Sequence, residues 1–365
     1  MNILIACDKF KGSLDAQRVC NAIARGIRKS NPTAPITKMP IADGGDGTMH
    51  LLRDVLSLKV TTMDTLDPLN RPIRANYYTS DDTAFIELAE ASGIARLDTS
   101  ELNPLITHNT GTGLMIKDAL DNGYSQIVLG IGGSCTTEAG LSIAHQLGYT
   151  FLDHEGSGIV PTGGNLRQIV TIVAPKDKMT FDLTILRDVD NPLYGSNGAA
   201  HVYGPQKGAN EQQVEHLDQG LQHIAQLIKS ALDKDISTLK GGGAAGGIAA
   251  GLYGLCVAEI ISGFDYLSNL FDLKTKIKAA DLIITGEGRL DSQSLQGKVI
   301  GSIAQICTKY QKPLVAVVGS NQLTQSEISQ SGITQIYTIM DRATDLDDAM
   351  MKTEQYLEDI GERVM

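Results

Sequence analysis

Residues 281–298 read DLIITGEGRLDSQSLQGK, and the point where this stretch changes character decides the fold. Leu282-Ile283-Ile284 is an apolar run too short for a helix and bounded by turn residues, the pattern of a buried parallel strand. Gly286 and Gly288 then allow a sharp turn or a close approach. Glu287, Arg289 and Asp291 alternate with small or apolar residues at the carboxyl end of the strand, where open α/β sheets bind ligands. The reading is a strand-end ligand loop leading into a helix bounded near Gly297-Lys298. A plain strand-to-helix connection with a solvated ion pair would use the same residues.

Working outward, the same alternation recurs at both ends of the chain. NILIACD (2–8) and ITKMPIAD (36–43) read as strands. SLDAQRVCNAIARGIRKS (13–30), with Ser13 as N-cap and a stripe at Val19, Ile23 and Ile27, reads as a helix, as does GDGTMHLLRDVL (45–56). After DLIITGEG come a helix (298–310), a strand (313–320), a short helix (324–332), a strand (333–340) and a closing helix (345–365). Two strands from the start and three from the end make five, the number in a flavodoxin-like sheet. The middle differs. Residues 59–79 hold two β-rich runs about a Pro/Asn turn, read as an antiparallel hairpin. AFIELAEASG (84–93) adds a strand. Helices at 112–123 and 136–148 flank the strand QIVLGI (126–131), and 210–232 is a long helix striped by Val214, Leu217, Leu221, Ile224 and Ile228. The expected architecture is a doubly wound parallel α/β sheet formed by 1–60 and 261–365, with a second α/β domain, 61–260, inserted into it. The two crossovers would leave a cleft between the domains.

The chain has 365 residues, 42% hydrophobic and 20% charged, with a formal net charge of −11. That composition fits an ordinary folded protein and opposes a chain-wide nucleic-acid role, which needs a basic surface. No stretch approaches the ~20 apolar residues of a membrane span. The N-terminus lacks the apolar core of a signal peptide. Cys7, Cys20, Cys135, Cys256 and Cys307 form no C-x-x-C pair, as expected of reduced thiols in a cytoplasm. No His pair has metal-ligand or triad spacing; His216 and His223 read as the rim of the long helix.

One peculiarity recurs. Glycine sits beside Asp, Glu, Lys or Ser next to a strand or helix end in CDKFKGS (7–13), ADGGDGT (42–48), GIGGSCT (130–136), RDVDNPLYG (187–195), YGPQKGA (203–209), GGGAAGG (241–247) and the opening stretch. Phosphoryl transfer needs these types: backbone N–H groups for phosphate oxygens, carboxylates for magnesium, a cation on the transferring group and a carboxylate near the acceptor hydroxyl. Neither G-x-x-x-x-G-K-[ST] nor a full G-x-G-x-x-G occurs. Asp43, Asp46, Asp188 and Asn191 could equally serve as turn or cap residues. Lys11 and Lys207 could be solvated, and Arg289 could pair with Glu287 or Asp291 instead of a substrate.

Taken together these segments resemble the bacterial glycerate kinases of the first type. DKFKGSLDA (8–16) is similar to the family's D-S-F-K-G-S-L-S-A, and PIADGGDGT (40–48) to P-x-A-D-G-G-E-G-T. GTG (111–113), GIGGSCTTEAG (130–140), DVDNPLYG (188–195), YGPQKGA, GGGAAGG and ITGEGRLDSQSLQGK follow in the family's order. Where the family reads G-G-S-A-T-N-D-G-G, this chain has Thr137-Glu138 for Asn-Asp and Ala139 for a glycine. Arg187 stands where Cys is common, and Lys9 where Ser is. These departures bear on the acceptor more than on the reaction type. The resemblance implies a flavodoxin-like domain with an inserted α/β domain, and an ATP- and Mg2+-dependent kinase making 2-phosphoglycerate from D-glycerate. A kinase for another small hydroxy acid or a non-catalytic metabolite-binding homologue is the alternative, and a phosphatase or another nucleotide-driven transferase on the same scaffold is a third reading. The partners expected are small molecules, no nucleic acid and no membrane, for a cytoplasmic monomer or homodimer. Expected catalytic groups are Asp188, Asp43, Lys11 and Arg289. Expected nucleotide contacts are Gly132, Gly133, Ser134, Gly243, Gly246 and Lys207. Expected substrate contacts are Asp8, Gly44, Gly45, Asn191 and Lys298. Expected metal ligands are Asp46, Glu287 and Asp291.

Overall fold

The computed structural model describes residues 1–176, 180–295 and 298–364. Its strands, in chain order, are β1 Ile3–Cys7, β2 Ile36–Lys38, β3 Lys59–Leu66, β4 Pro72–Ser80, β5 Thr83–Glu87, β6 Gln126–Gly130, β7 Thr150–Leu152, β8 Gly158–Ile159, β9 Thr171–Val173, β10 Asp182–Arg187, β11 Ala258–Ser262, β12 Leu282–Leu290, β13 Leu314–Asn321 and β14 Gln335–Thr338. The chain forms two compact units, Met1–Asp43 with Gly263–Met365, and Gly44–Ser262.

In the first unit five strands pair in the order β14-β13-β12-β1-β2, all parallel. Numbered within the unit, that order is 2-1-3-4-5, and it reverses direction between β1 and β12. Ile3, Ile5, Ile284, Val315 and Val317 are buried in its core with Val19, Ile23 and Ile27 of the helix Ala16–Ser30. Asp15, not Ser13, caps that helix by accepting from Arg18 N at 2.8 Å.

The opening stretch behaves differently from expectation. β12 does not stop at Ile284 but runs on to Leu290. Its partner explains this: β13 continues to Asn321 beside it, pairing Glu287 with Val318 and Arg289 with Ser320. Gly286 is needed because a Cβ there would lie 2.2 Å from the Val317 carbonyl oxygen. Glu287 and Arg289 are thus strand residues, and the turn begins at Asp291. Of the expected helix boundary, Gly297 lies outside the described residues; the helix runs Val299–Lys309. The C-terminal helix divides into Leu346–Met351 and Thr353–Arg363.

In the second unit six strands pair in the order β11-β10-β6-β5-β4-β3. β3, β4 and β5 are antiparallel, the first two forming the expected hairpin, and β5, β6, β10 and β11 are parallel. A small antiparallel sheet, β8-β7-β9, accompanies them. The helix Glu211–Leu232 starts at a capping box on Asn210 and buries the expected stripe. Residues 44–60, assigned by the sequence to the first unit, fall in the second, where Met49 N donates to Glu87 Oε2 at 2.9 Å. The helix expected over 136–148 forms only at Leu141–Gln146, because Ala139 and Gly140 take left-handed φ values of 54° and 68°.

Candidate active site

In the first unit the chain leaves β1 at Cys7 and places Asp8 just beyond it. The Asp8 amide donates to the Gly286 carbonyl at 2.8 Å, so the residue stays in line with the ladder and is buried. Lys9 N donates to Asp8 Oδ1 at 2.6 Å. Ser13 Oγ donates to the Met350 carbonyl at 2.8 Å and lies 2.6 Å from Thr353 Oγ1, pinning the 8–14 loop to the C-terminal helices. Ile41 N bonds the Cys7 carbonyl at 3.1 Å and brings Asp43 alongside. The result is a cavity of about 480 Å³ at the carboxyl ends of β1, β12 and β13, with Asp8, Lys11, Asp43, Glu287 and Arg289 in its lining.

The electrostatics of this cavity are unusual. Burial first, and then the charge of Asp43, push the Asp8 carboxyl well above the usual carboxylate range. Burial also raises Glu287 to about 7, with Asp43 and Asp291 adding repulsion. Glu287 Oε1 is buried without a hydrogen-bond partner among the described residues. Such a group looks for a hydroxyl donor or a cation. Arg289 is held at 2.6 Å from Gln322 Oε1 and 3.4 Å from Asp291 Oδ2, and is largely exposed. Asp291 lines a neighbouring hollow of about 400 Å³ with Arg289. Its Oδ1 accepts from Gln293 N and Ser294 N at 3.0 and 3.1 Å, so much of its capacity goes to the turn. Lys298 sits at the N-cap of the helix Val299–Lys309, and its charge opposes the rise at Glu287.

The second unit holds the remaining candidates, and packing explains several of the glycines. A Cβ on Gly132 would lie 2.3 Å from Asp46 N, because the backbone of Gly45-Asp46 lies against it. On Gly243 it would meet the Pro192 carbonyl oxygen at 2.2 Å, and on Gly246, whose φ is 72°, the Thr136 oxygen at 2.1 Å. Gly133 is exposed with φ 74°, and Gly44 is buried with φ 99°. Ser134 Oγ lies 3.0 Å from Thr136 Oγ1. Lys207 is only 2% exposed, and its Nζ donates to the Thr136 carbonyl at 2.5 Å. Burial lowers its ammonium to about 8. Asn191 is occupied at both ends: its Oδ1 accepts from the Tyr203 hydroxyl at 2.6 Å, and its Nδ2 donates to the Asn197 carbonyl at 2.9 Å. Asp188 and Asp46 are exposed. Arg187 pairs with Asp190, which Lys240 also meets at 3.0 Å, so its charge is used inside the fold.

Sequence reasoning missed the network below these loops. Glu138 is fully buried; its oxygens accept from Asn109 Nδ2, from Ser142 N at 2.9 Å and from Ser142 Oγ at 3.1 Å. Burial wins over these donors and lifts its carboxyl to about 7. The signal was available: a carboxylate among small residues in TTEAG. Cys135, by contrast, is a buried thiol raised to about 12, unsuited to nucleophilic attack.

The model of the glycerate kinase family matches residues 3–365. The chain belongs to the glycerate kinase family. A Bacillus subtilis glycerate kinase is 38% identical over 98% of this chain and 95% of its own. The Escherichia coli K12 glycerate 2-kinase is 38% identical over 96% of this chain and 93% of its own. The crystal structure of a Salmonella typhimurium LT2 protein, provisionally named glycerate kinase 2, superposes with a TM-score of 0.84 at 36% identity. It covers 100% of this chain and 97% of that one. Family membership turns the cavity's mixture of carboxylates and cations into a question of which end does what.

Proposed function

We propose that the chain transfers the γ-phosphoryl group of ATP to the 2-hydroxyl of D-glycerate, giving 2-phosphoglycerate, with Mg2+. The reading draws on its glycerate 2-kinase relative. It also draws on one structural observation: Asp8, Asp43 and Glu287 converge with Lys11 and Arg289 in one cavity at the strand ends. The first unit is read as flavodoxin-like, supported by its all-parallel 2-1-3-4-5 order.

In this reading Asp43 orients the acceptor hydroxyl and receives its proton. Lys11 and Arg289 neutralise the transferring phosphoryl group, whose transition state spreads negative charge over its oxygens. Asp8, whose carboxyl burial pushes above the usual range, holds a hydroxyl. Asp188 and Lys207 of the second unit remain candidates for acceptor orientation and phosphate contact. Among the described residues no three His, Cys, Asp or Glu side chains form a metal cage. Magnesium does not need one, since it takes one or two protein carboxylates and completes its shell with phosphate oxygens and water. Glu287 fits that role because its Oε1 is buried with no hydrogen-bond partner among the described residues and Asp43 and Asp291 repel its charge. Bound magnesium would supply positive charge that offsets the phosphate oxygens. Asp291 fits less well, with one oxygen held by the turn.

The test is ADP release with ATP and magnesium against D-glycerate, L-glycerate, glycolate, lactate, tartronate and no acceptor. Turnover should be strongest with D-glycerate, and Asp43→Asn, folded by its melting curve, should lose about 10²–10⁴-fold in kcat. ADP release that ignores the acceptor, or an unaffected Asp43→Asn, would count against this reading.

A further inference from the structure

The cavity of the first unit has a second wall that the carboxylates and cations do not explain. It is apolar, and the segments 339–340 and 346–350 build it. Leu346, Ala349 and Met350 recur at i, i+3 and i+4 on the helix Leu346–Met351, so one helix face lines the space. Ile339 and Met340 extend that face. Leu346 is 63% exposed and Met350 40%, costly for apolar side chains inside a concave, otherwise polar site unless something covers them. Methionine suits a flat ring, because its thioether adapts to the aromatic face.

Size points the same way. A volume of about 480 Å³ lies in the range of pockets that bury a drug-sized ligand and far exceeds what a three-carbon acid fills. Position agrees as well. The cavity opens where the strand order reverses between β1 and β12, the crevice in which doubly wound sheets bind nucleotide-like ligands. The lining combines unlike parts: the apolar wall, the Ser320 hydroxyl and Gln322 amide, the carboxylates of Asp8, Asp43 and Glu287, and the cations Lys11 and Arg289. A nucleotide carries the matching kinds of part: a flat base, a sugar rich in hydroxyls and an anionic phosphate chain.

Resting on the kinase reading above, we propose that this cavity is the site for the base and ribose of the phosphoryl donor, with the base against Leu346, Ala349 and Met350. The acceptor acid then meets only the charged end. This moves nucleotide recognition from the glycine loops of the second unit, three of whose glycines are committed to packing, to the strand ends of the first.

ADP binding to the full chain, measured by titration calorimetry, tests this directly. Two variants are compared with the unaltered protein: Ala349→Trp, which fills the cavity, and Met350→Glu, an exposed change that sets a charge against the base. Both are first checked by thermal melting. The proposal predicts ADP affinity at least about tenfold weaker in Met350→Glu, and a D-glycerate KM within about twofold of the original. Unchanged ADP binding in both variants, with tight binding to the unaltered chain, would overturn the site and leave the kinase reading intact. A raised D-glycerate KM with ADP binding unaltered would make the cavity an acceptor pocket and also overturn it. No ADP binding by the unaltered chain would remove the kinase reading and this proposal together.

Discussion

Glu287 shows how a single residue can be named in advance and still be misplaced. Its charge beside two glycines marked it as a ligand-loop acid, but it is a strand residue with one buried oxygen that has no hydrogen-bond partner among the described residues. What the sequence could not reveal was the length of β13 beside it, since strand pairing is set by a partner some thirty residues away. Asn191 and Lys207 were also legible as polar groups in glycine-containing turns. Their committed partners, Tyr203 and Thr136, lie too far along the chain for spacing to show. Burial leaves Glu287 with a carboxyl raised to about 7. A raised acid binds its proton more tightly in the folded state, so its contribution to stability is full below the unfolded value near 4.5. That contribution is lost as pH rises toward 7. Glu287→Gln should therefore gain stability relative to the original protein across that window, and urea melts at pH 4.5, 6 and 7.5 read the difference. A constant difference at all three would mean that Glu287 titrates normally.

At the scale of elements, apolar periodicity located the helix of 211–232, the hairpin and the parallel strands, because those patterns are local. It failed where backbone conformation overrides pattern. The apolar positions of 136–148 promise a helix, yet left-handed Ala139 and Gly140 delay it to Leu141. The glycine run 241–247 invited a phosphate cradle; the structure seats Ala245, Gly246 and Gly247 in left-handed conformation against the loop 136–139. Ala139 N donates to the Gly246 carbonyl at 3.1 Å, which ties the two segments together. Gly246→Ala would add both a clash with the Thr136 oxygen and a left-handed alanine. It should cost about 3 kcal/mol or more in unfolding free energy, summing overpacking and backbone strain. A melting temperature within a degree of the original would show that the run is open and free to serve a ligand instead.

For the molecule as a whole, each unit buries an apolar cluster of its own, and the chain carries a net charge of −11. Among the described residues no helix is long and apolar enough to cross a membrane. An acidic protein that handles anionic substrates must concentrate cations locally, and in the proposed site that role falls to Lys11 and Arg289, which line the carboxylate-rich cavity. The order of glycine-rich blocks pointed to the family, because it is a property of the linear chain. The division of labour within the cavity was not legible, because its apolar wall comes from 339–350, a segment with no glycine and no distinguishing motif. The most direct measurement is a phosphorus NMR time course of the full chain with ATP, magnesium and D-glycerate. The account predicts one 2-phosphoglycerate formed for each ATP consumed, with no acceptor-independent loss of ATP. Accumulation of inorganic phosphate at the same rate without acceptor, or of 3-phosphoglycerate in its place, would contradict it.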